Sequence, residues 1–332
     1  MNRRELVVGA AAGALALGSG GLVETLRRRS TFGYDGLEVL GEGVERITPN
    51  EKFYVVTKNL IDPRVDRESW RLELSGLVGN PVELDFEAIT NLKAVNQETT
   101  LECISNGVGA GLISNAVWRG IPLRELIGEA RPEGRARRVF FHASDGFTHS
   151  TSLEKALEPT TLLAWEMNGE PLPDRHGYPA RLIVPGAYGE LSVKWIDRIE
   201  LIDDDREGYY EKQGWKAERA HTMSRIDVPA ERATVRGRTE LRGVAFAGDR
   251  GISKVEVSTD GGERWNDAEI DYHPSKLTWA HWSFGWSQSA AGPAELVVRA
   301  TDGEGELQSA KKESSVPDGA TGLHRVPVRV ES

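Results

Sequence analysis

One cysteine, Cys103, stands among 332 residues, in the segment TLECISNGVGAG. A lone cysteine excludes an internal disulfide, an all-cysteine zinc site and a cysteine-ligated iron–sulfur cluster. It leaves open a single thiolate ligand to a soft metal. The plain alternative is an inert, buried thiol, although a Ser/Asn/Gly segment is an odd setting for a core filler. Two further segments carry groups suited to an anion. His176 and Arg181 lie five apart in HGYPAR, and Lys194 follows the Gly-containing turn PGAYG. A phosphate takes Arg, Lys and backbone N–H donors, which such a turn presents. Ordinary surface positions are the competing reading for all three, as a turn cap is for Asp145 in SDGF. Gly107-Val-Gly-Ala-Gly111 lacks the preceding strand and the following helix and acid of a dinucleotide fingerprint, so NAD is not expected. No HExxH motif and no His/Cys cluster for zinc, copper or haem is present.

These groups need a scaffold. Residues 70–78 (WRLELSGLV) alternate well enough for a strand. A short helix is predicted over 85–92 and a better one over 123–130, between Pro122 and Pro132. Residues 138–142 read as a strand, 152–157 as a helical turn or two, and 181–184 and 191–201 as strands split by the PGAYG turn. No regular βαβ repeat appears, which argues for a mixed α+β domain. From residue 233 onward short strand-like runs (234–237, 241–247, 253–258, 294–300, 324–330) alternate with Gly and Asp turns. Asp260-Gly261-Gly262 is the strongest of these turns. Strands at this spacing without helices read as a β-sandwich. In WAHWSFGW (residues 279–286), Trp282, Phe284 and Trp286 fall on one strand face and read as core. Residues 226–229 are the expected linker. The expected division is an N-terminal segment 1–29, a catalytic domain 50–225 and a sandwich 230–332.

Composition narrows the function. Apolar residues make up 39% and charged residues 28%, an ordinary globular mixture. Forty-one Lys and Arg against 51 Asp and Glu give a net charge of −10, which argues against a sequence-independent nucleic-acid binder. Arg3-Arg4 precedes an uncharged run over residues 6–21, the pattern of an export signal and close to the twin-arginine class for folded cargo. The run is somewhat shorter than a span of ~20 residues, so export is expected, with retention as an anchor the alternative.

Three blocks taken together resemble the sulfite oxidase family of molybdopterin enzymes. They are TLECISNGVGAGLISNAVWRGIPL (100–123), LLAWEMNGEPLPDRHGYPARLIVPGAYGELSVKWIDRIEL (162–201), and ISKVEVSTDGGERWNDAEI (252–270) with WAHWSFGW. The resemblance covers about residues 50–330. It implies a mixed α+β molybdopterin domain followed by an immunoglobulin-like β-sandwich that often makes the dimer.

The resemblance also assigns roles. Cys103 matches the thiolate that binds molybdenum beside a pterin dithiolene. Lys58-Asn59 stands where the family has Arg-Asn, and the lysine keeps a cation but loses the guanidinium fork. Asp145 matches an acid that binds the pterin ring, His176 and Arg181 a pterin-phosphate pair, and Ser192, Val193 and Lys194 the stretch that closes over the phosphate. Asn106 keeps the Cys-x-x-Asn pattern and is expected to order the ligand loop. Gly107 and Val108 replace arginines that hold sulfite. Trp215 replaces an active-site tyrosine, with Tyr209 and Tyr210 nearby but out of register.

The implied cofactor is molybdenum-molybdopterin, without haem, NAD or an iron–sulfur cluster. The implied activity is oxygen-atom transfer outside the cytoplasm, with a small oxo-acceptor or oxo-donor as substrate. A sulfoxide or N-oxide reductase and a sulfite oxidase with a compensated pocket are the alternatives, and a cofactor-free scaffold is the non-enzymatic one. Electrons would pass through a separate electron-transfer protein or a membrane quinone system.

Overall fold

The computed structural model describes residues 36–37, 41–215, 219–288 and 290–331. The export signature at Arg3-Arg4 and the apolar run behind it lie outside these residues. Among the described residues no helix is long and apolar enough to cross a membrane.

Two five-stranded sheets build the first domain. One runs, in spatial order, through Val82–Asp85, Arg71–Gly76, Ile196–Ile202, Arg138–Ala143 and Thr148–Ser152. The other orders Val95–Glu102, Ile113–Pro122, Leu162–Met167 and Glu170–Pro171, with Arg181–Ile183 pairing Leu162–Met167. Three short helices join them: Phe86–Thr90, Leu123–Ala130 and Leu153–Ala156. The helix over 123–130 forms where its pattern predicts. Leu123, Leu126, Ile127 and Ala130 recur at helical spacing and are all buried, so one face packs into the core while Arg124, Glu125 and Glu129 meet solvent. Each fully buried leucine or isoleucine of this face contributes roughly 1.5–3 kcal/mol of transfer free energy. Arg131, in the left-handed region at φ 55°, ends the helix. Ser152 caps the next helix by accepting from the Lys155 amide at 3.1 Å.

The central strand Ile113–Pro122 gives no alternating signal because both of its faces are covered. Ile113, Ala116 and Trp118 are all fully buried. It pairs antiparallel with Val95–Glu102, Glu102 opposite Ile113, so Cys103 opens the turn that joins the two strands. The expected strand over 191–201 is shorter than its pattern. Only Ile196–Ile202 pairs, and residues 185–195 form an irregular loop that ends at Trp195 with φ 52°.

The second domain is a sandwich of two sheets. One orders Met223–Val228, Arg238–Phe246, Ala280–Ser287 and Glu269–Tyr272; the other orders Thr234–Arg236, His324–Glu331, Gly292–Asp302, Ile252–Ser258 and Asn266–Asp267. A core that includes Leu241, Val257, Trp282, Leu296 and Val328 fills the space between them. Phe284 and Trp286 pack against that core, on the face the alternation gives them. The linker expectation is overturned. Residues 223–228 are a strand paired with Arg238–Phe246, because Ser224 to Asp227 are buried and their backbone groups find ladder partners there.

Candidate active site

A cleft opens in the first domain. Cys103 lines it, together with Lys58, Asp145, His176, Arg181, Ser192, Val193, Lys194 and Trp215. Residues separated by more than 150 positions thus converge on one cavity.

The thiol sits on a tightly tied turn. The Cys103 amide donates to the Leu112 carbonyl at 2.9 Å, and the Asn106 amide donates to the Cys103 carbonyl at 2.8 Å. Sγ lies 3.0 Å from the Ser105 hydroxyl. Burial pushes the Cys103 thiol up to about 11, whereas a coordinated soft metal ion would deprotonate it outright. Asn106 is buried behind this turn and does not line the cleft. Its Nδ2 donates to Glu102 Oε1 at 2.9 Å and its Oδ1 accepts from the Leu112 amide at 2.9 Å. It is a positioning residue for the turn rather than a group that meets a ligand.

A second cluster faces the thiol. Lys58 Nζ donates to the Asp145 carbonyl at 2.7 Å and to Asn59 Oδ1 at 3.1 Å. Asn59 Nδ2 donates to Asp145 Oδ2 at 2.7 Å, and the Phe147 amide donates to Oδ1 at 2.9 Å. Asp145 therefore does cap a turn, but it does so with its carboxylate in the cleft wall. Asn59 acts through Asp145 and is not itself in the lining.

The third cluster is cationic. Arg181 is buried, donates to the carbonyls of His176 and Ser192 at 3.0 Å each, and stacks on Trp118. Burial draws its guanidinium down to about 10. Lys194 is not solvent-facing. Its Nζ donates to the Arg175 carbonyl at 3.0 Å and the Val56 carbonyl at 3.3 Å, and burial lowers it to about 7. His176 donates through Nε2 to the Asn50 carbonyl at 2.8 Å, and burial holds it neutral, down at about 3. The Ser192 hydroxyl accepts the Val184 amide at 3.1 Å, which leaves its own O–H able to donate into the cleft.

Several lining residues had no sequence signal strong enough to be singled out. Tyr54 is buried beside Cys103, and burial, then the Cys103 thiolate, raises its phenol well above the usual range. Gly189 is small for a reason: a Cβ there would overlap the Tyr54 hydroxyl. Arg175 and Glu190 also line the cleft, as does Tyr210, whose ring meets Trp215 edge-on at 6.3 Å. A phenol is therefore present beside Trp215 despite the shifted register. Gly107 and Val108 are placed elsewhere. They line a small separate cavity against Met223, Ser224 and Gly322 of the second domain. Neither residue lines the cleft.

The donor set fits a phosphorylated pterin carrying a soft metal. Among the described residues no group of three or more His, Cys, Asp or Glu could hold a metal ion. Cys103 alone would need the remaining ligands to come from the cofactor. Arg181 and Lys194, satisfied only by carbonyls and a nearby salt network, leave positive charge for a phosphate. Asp145 offers a held carboxylate to the N–H edge of a pterin ring.

Comparison with known proteins agrees with this geometry. Residues 59–210 match the model of the oxidoreductase molybdopterin-binding domain, and residues 217–331 that of the Mo-co oxidoreductase dimerisation domain. The sulfite oxidase of Arabidopsis thaliana is 31% identical over 81% of this chain and 84% of its own length. Nitrate reductase [NAD(P)H] of Hordeum vulgare is 29% identical over 77% of this chain, which spans 36% of that enzyme. The mitochondrial sulfite oxidase of Rattus norvegicus is 28% identical, and the chain spans 57% of it. The sulfane dehydrogenase SoxCD from Paracoccus pantotrophus superposes over 89% of this chain and 86% of its own with a TM-score of 0.77, at 23% identity, a likeness of fold. With both domains matched in order and the cleft assembled from the expected residues, the chain belongs to the sulfite oxidase family of molybdopterin-dependent oxidoreductases.

Proposed function

We propose that the protein is an extracytoplasmic oxygen-atom transferase whose substrate is a small oxo-acceptor or oxo-donor. The observation that carries the reading is the Cys103 thiol lining a cleft that also holds Arg181 and Lys194, whose hydrogen bonds among the described residues go to backbone carbonyls. When bound, the molybdenum-molybdopterin supplies two-electron oxygen-atom chemistry.

The chain's own residues do the rest. Cys103 holds the metal, on a turn that Asn106 ties through Glu102 and Leu112. Arg181, Lys194 and the Ser192 hydroxyl hold the phosphate, and the stretch through Val193 closes beside it. His176 stays neutral and orders the carbonyl end of this cradle. Asp145, fixed by Asn59 and Lys58, receives the pterin N–H groups. Lys58 would also add positive charge to the cleft wall beside Asp145. Trp215 and Tyr210 give the cleft a largely apolar wall with one phenol.

A neutral sulfoxide or N-oxide suits this wall better than sulfite, since it brings no full charge to desolvate. Sulfite is the second reading, favoured by the Arabidopsis and rat relatives that carry its name. The second domain, with nine strands in two sheets and no helix among the described residues, is read as immunoglobulin-like and as the dimer-forming part. The first domain is read as starting near residue 50, and the sandwich as starting with the strand at 223–228 rather than at 230. Export through Arg3-Arg4 is retained from the sequence, and electrons are read as passing to a separate electron-transfer protein or a membrane quinone system.

The test is purification from a host that makes molybdopterin, with molybdenum and pterin measured against the chain. The loaded enzyme is then assayed with dye carriers on sulfite, sulfoxides, N-oxides and chlorate. Molybdenum and pterin in equal amount with the chain, and turnover of a neutral oxide, support the reading. A folded, active protein without molybdenum sinks it.

A further inference from the structure

Glu190 is a charged group of the cleft that the cofactor does not use. Its side chain is only 8% exposed, yet it lines the cavity. Oε1 lies 3.6 Å from His149 Nε2, beyond hydrogen-bond distance, and Oε2 has no hydrogen-bond partner among the described residues. His149 Nδ1 accepts the Ser150 amide at 2.8 Å, and its Nε2, on the side of the carboxylate, has no hydrogen-bond partner among the described residues. The Gly189 amide, bound to the Glu102 carbonyl at 2.7 Å, holds Glu190 in place next to the Cys103 turn.

No hydrogen bond ties Lys58, Arg181 or Lys194 to Glu190 among the described residues. Lys58 is committed to Asp145 and Asn59, and Arg181 and Lys194 to backbone carbonyls. The Glu190 carboxylate helps hold up the Cys103 thiol and the Tyr54 phenol, whereas the charges that act on Lys194 are Asp62, Arg181, Asp145 and Arg175. The cleft is polarised: Arg175, Arg181 and Lys194 act on one another at one end, and the Glu190 carboxylate, with one oxygen buried and unpaired, acts on the thiol. A buried carboxylate repels a nearby anion far more strongly than a solvated one does. It accepts hydrogen bonds and cannot donate any.

We propose that Glu190 sets the charge of the substrate, turning anions away from the thiol end of the cleft and receiving a neutral or cationic substrate that carries an N–H or O–H donor. The proposal rests on the oxidoreductase reading above and adds the substrate's charge class to it. It makes Glu190 a specificity residue rather than a member of the cofactor cradle.

The experiment compares wild type, Glu190→Gln and Glu190→Asp, each purified from a molybdopterin-making host. Sulfate and methylammonium are titrated as non-reacting probes while quenching of tryptophan fluorescence is followed, since Trp215 lines the cleft. Glu190→Gln should bind sulfate about tenfold or more tightly and methylammonium correspondingly more weakly. Glu190→Asp keeps the charge and should bind both as wild type does. Glu263→Gln, an exposed carboxylate of the second domain, should change neither. Unchanged dissociation constants in Glu190→Gln overturn the proposal. Should that variant fail to load cofactor, the same comparison on cofactor-free wild type and variant decides it. Molybdenum content is read separately, so a wild type without metal defeats the oxidoreductase reading and not the charge preference.

Discussion

Arg225, on a strand of the second domain, donates through Nη1 to the carbonyl of Ala110 at 2.7 Å, in the turn that begins with Cys103. The same guanidinium pairs with Asp227, and both side chains are essentially solvent-free. Beside it the His324 ring packs against Gly109, which holds φ 78° and has no room for a side chain. The sandwich thus closes the back of the thiol-bearing turn while the cofactor cleft opens on the front. Coupling between the two domains is built into the site itself.

Replacing Arg225 should therefore do more than loosen an interface. Arg225→Met strands Asp227 as an uncompensated buried charge, and breaking such a pair costs about 3–5 kcal/mol. Replacing both residues, with Met and Leu, should recover a large part, because no charge is then left without its partner. Denaturant unfolding of the single and double variants checks this. Equal losses in both would show that the Ala110 contact, not the stranded carboxylate, carries the effect.

Cys103→Ser tests the ligand assignment. The side chain changes by one atom in a turn held by backbone and Asn106 hydrogen bonds, so the unfolding midpoint should shift little, by about 1 kcal/mol or less. Molybdenum content and turnover should fall nearly to zero, since an alcohol is a harder and far less acidic ligand than a thiol. Elemental analysis and activity on the same sample give the answer. A variant that turns over at the wild-type rate would remove Cys103 from the metal.

Local patterns were readable where one face is buried and the other wet. The helix over 123–130 and the sandwich strands show this, as do Trp282, Phe284 and Trp286. Patterns vanished where both faces are covered: Ile113–Pro122 carries no alternation because the core lies on either side. Residues 226–229 read as a linker because Pro229 ends the segment and polar Ser224, Arg225 and Asp227 interrupt the apolar run of what is a strand over Met223–Val228. These polar groups are buried in pairs that only the fold supplies. For the site, residue types alone left Cys103, Asp145, His176, Arg181 and Lys194 open between function and ordinary structure, and only the resemblance to the family drew them together. Which way a turn faces was not readable: Gly107 and Val108 look toward the second domain, and Tyr210 reaches the cleft despite its register. Glu190 and Tyr54 depend on long-range packing that no local spacing encodes.

Lys194→Met separates cofactor binding from stability. The ammonium sits in the cleft wall with carbonyl acceptors, and burial has already drawn it down to about 7. Without a phosphate it is a desolvated charge, and a methionine of similar length removes that cost. The cofactor-free variant should be as stable as the wild type or more so. The loaded fraction should drop, because a charge-assisted bond worth about 1.5–3 kcal/mol is gone. Pterin content and the melting temperature of the cofactor-free protein, measured together, test the split. Loss of stability with unchanged pterin content would place Lys194 in the scaffold instead.

His324 gives the fold a pH dependence of known sign. Its Nδ1 accepts the Ile226 amide at 3.0 Å, and burial, reinforced by Arg225, lowers it from 6.5 to about 4. The unfolded chain binds a proton near pH 6.5, while the native ring refuses it until about pH 4. Stability is therefore fully present above pH 6.5, falls as pH drops between these values, and levels off below them. A shift of this size corresponds to at most about 3 kcal/mol across the window. His324→Gln keeps an acceptor for the Ile226 amide but cannot titrate. The variant should be less stable than wild type at pH 7.5, where packing against Gly109 is lost, and should close much of that gap by pH 4.5. Urea unfolding of both proteins at a series of pH values checks it, since the acid-titrating carboxylates they share cancel in the difference. A gap that stays constant from pH 7.5 to 4.5 would mean that the native ring protonates as readily as the unfolded one.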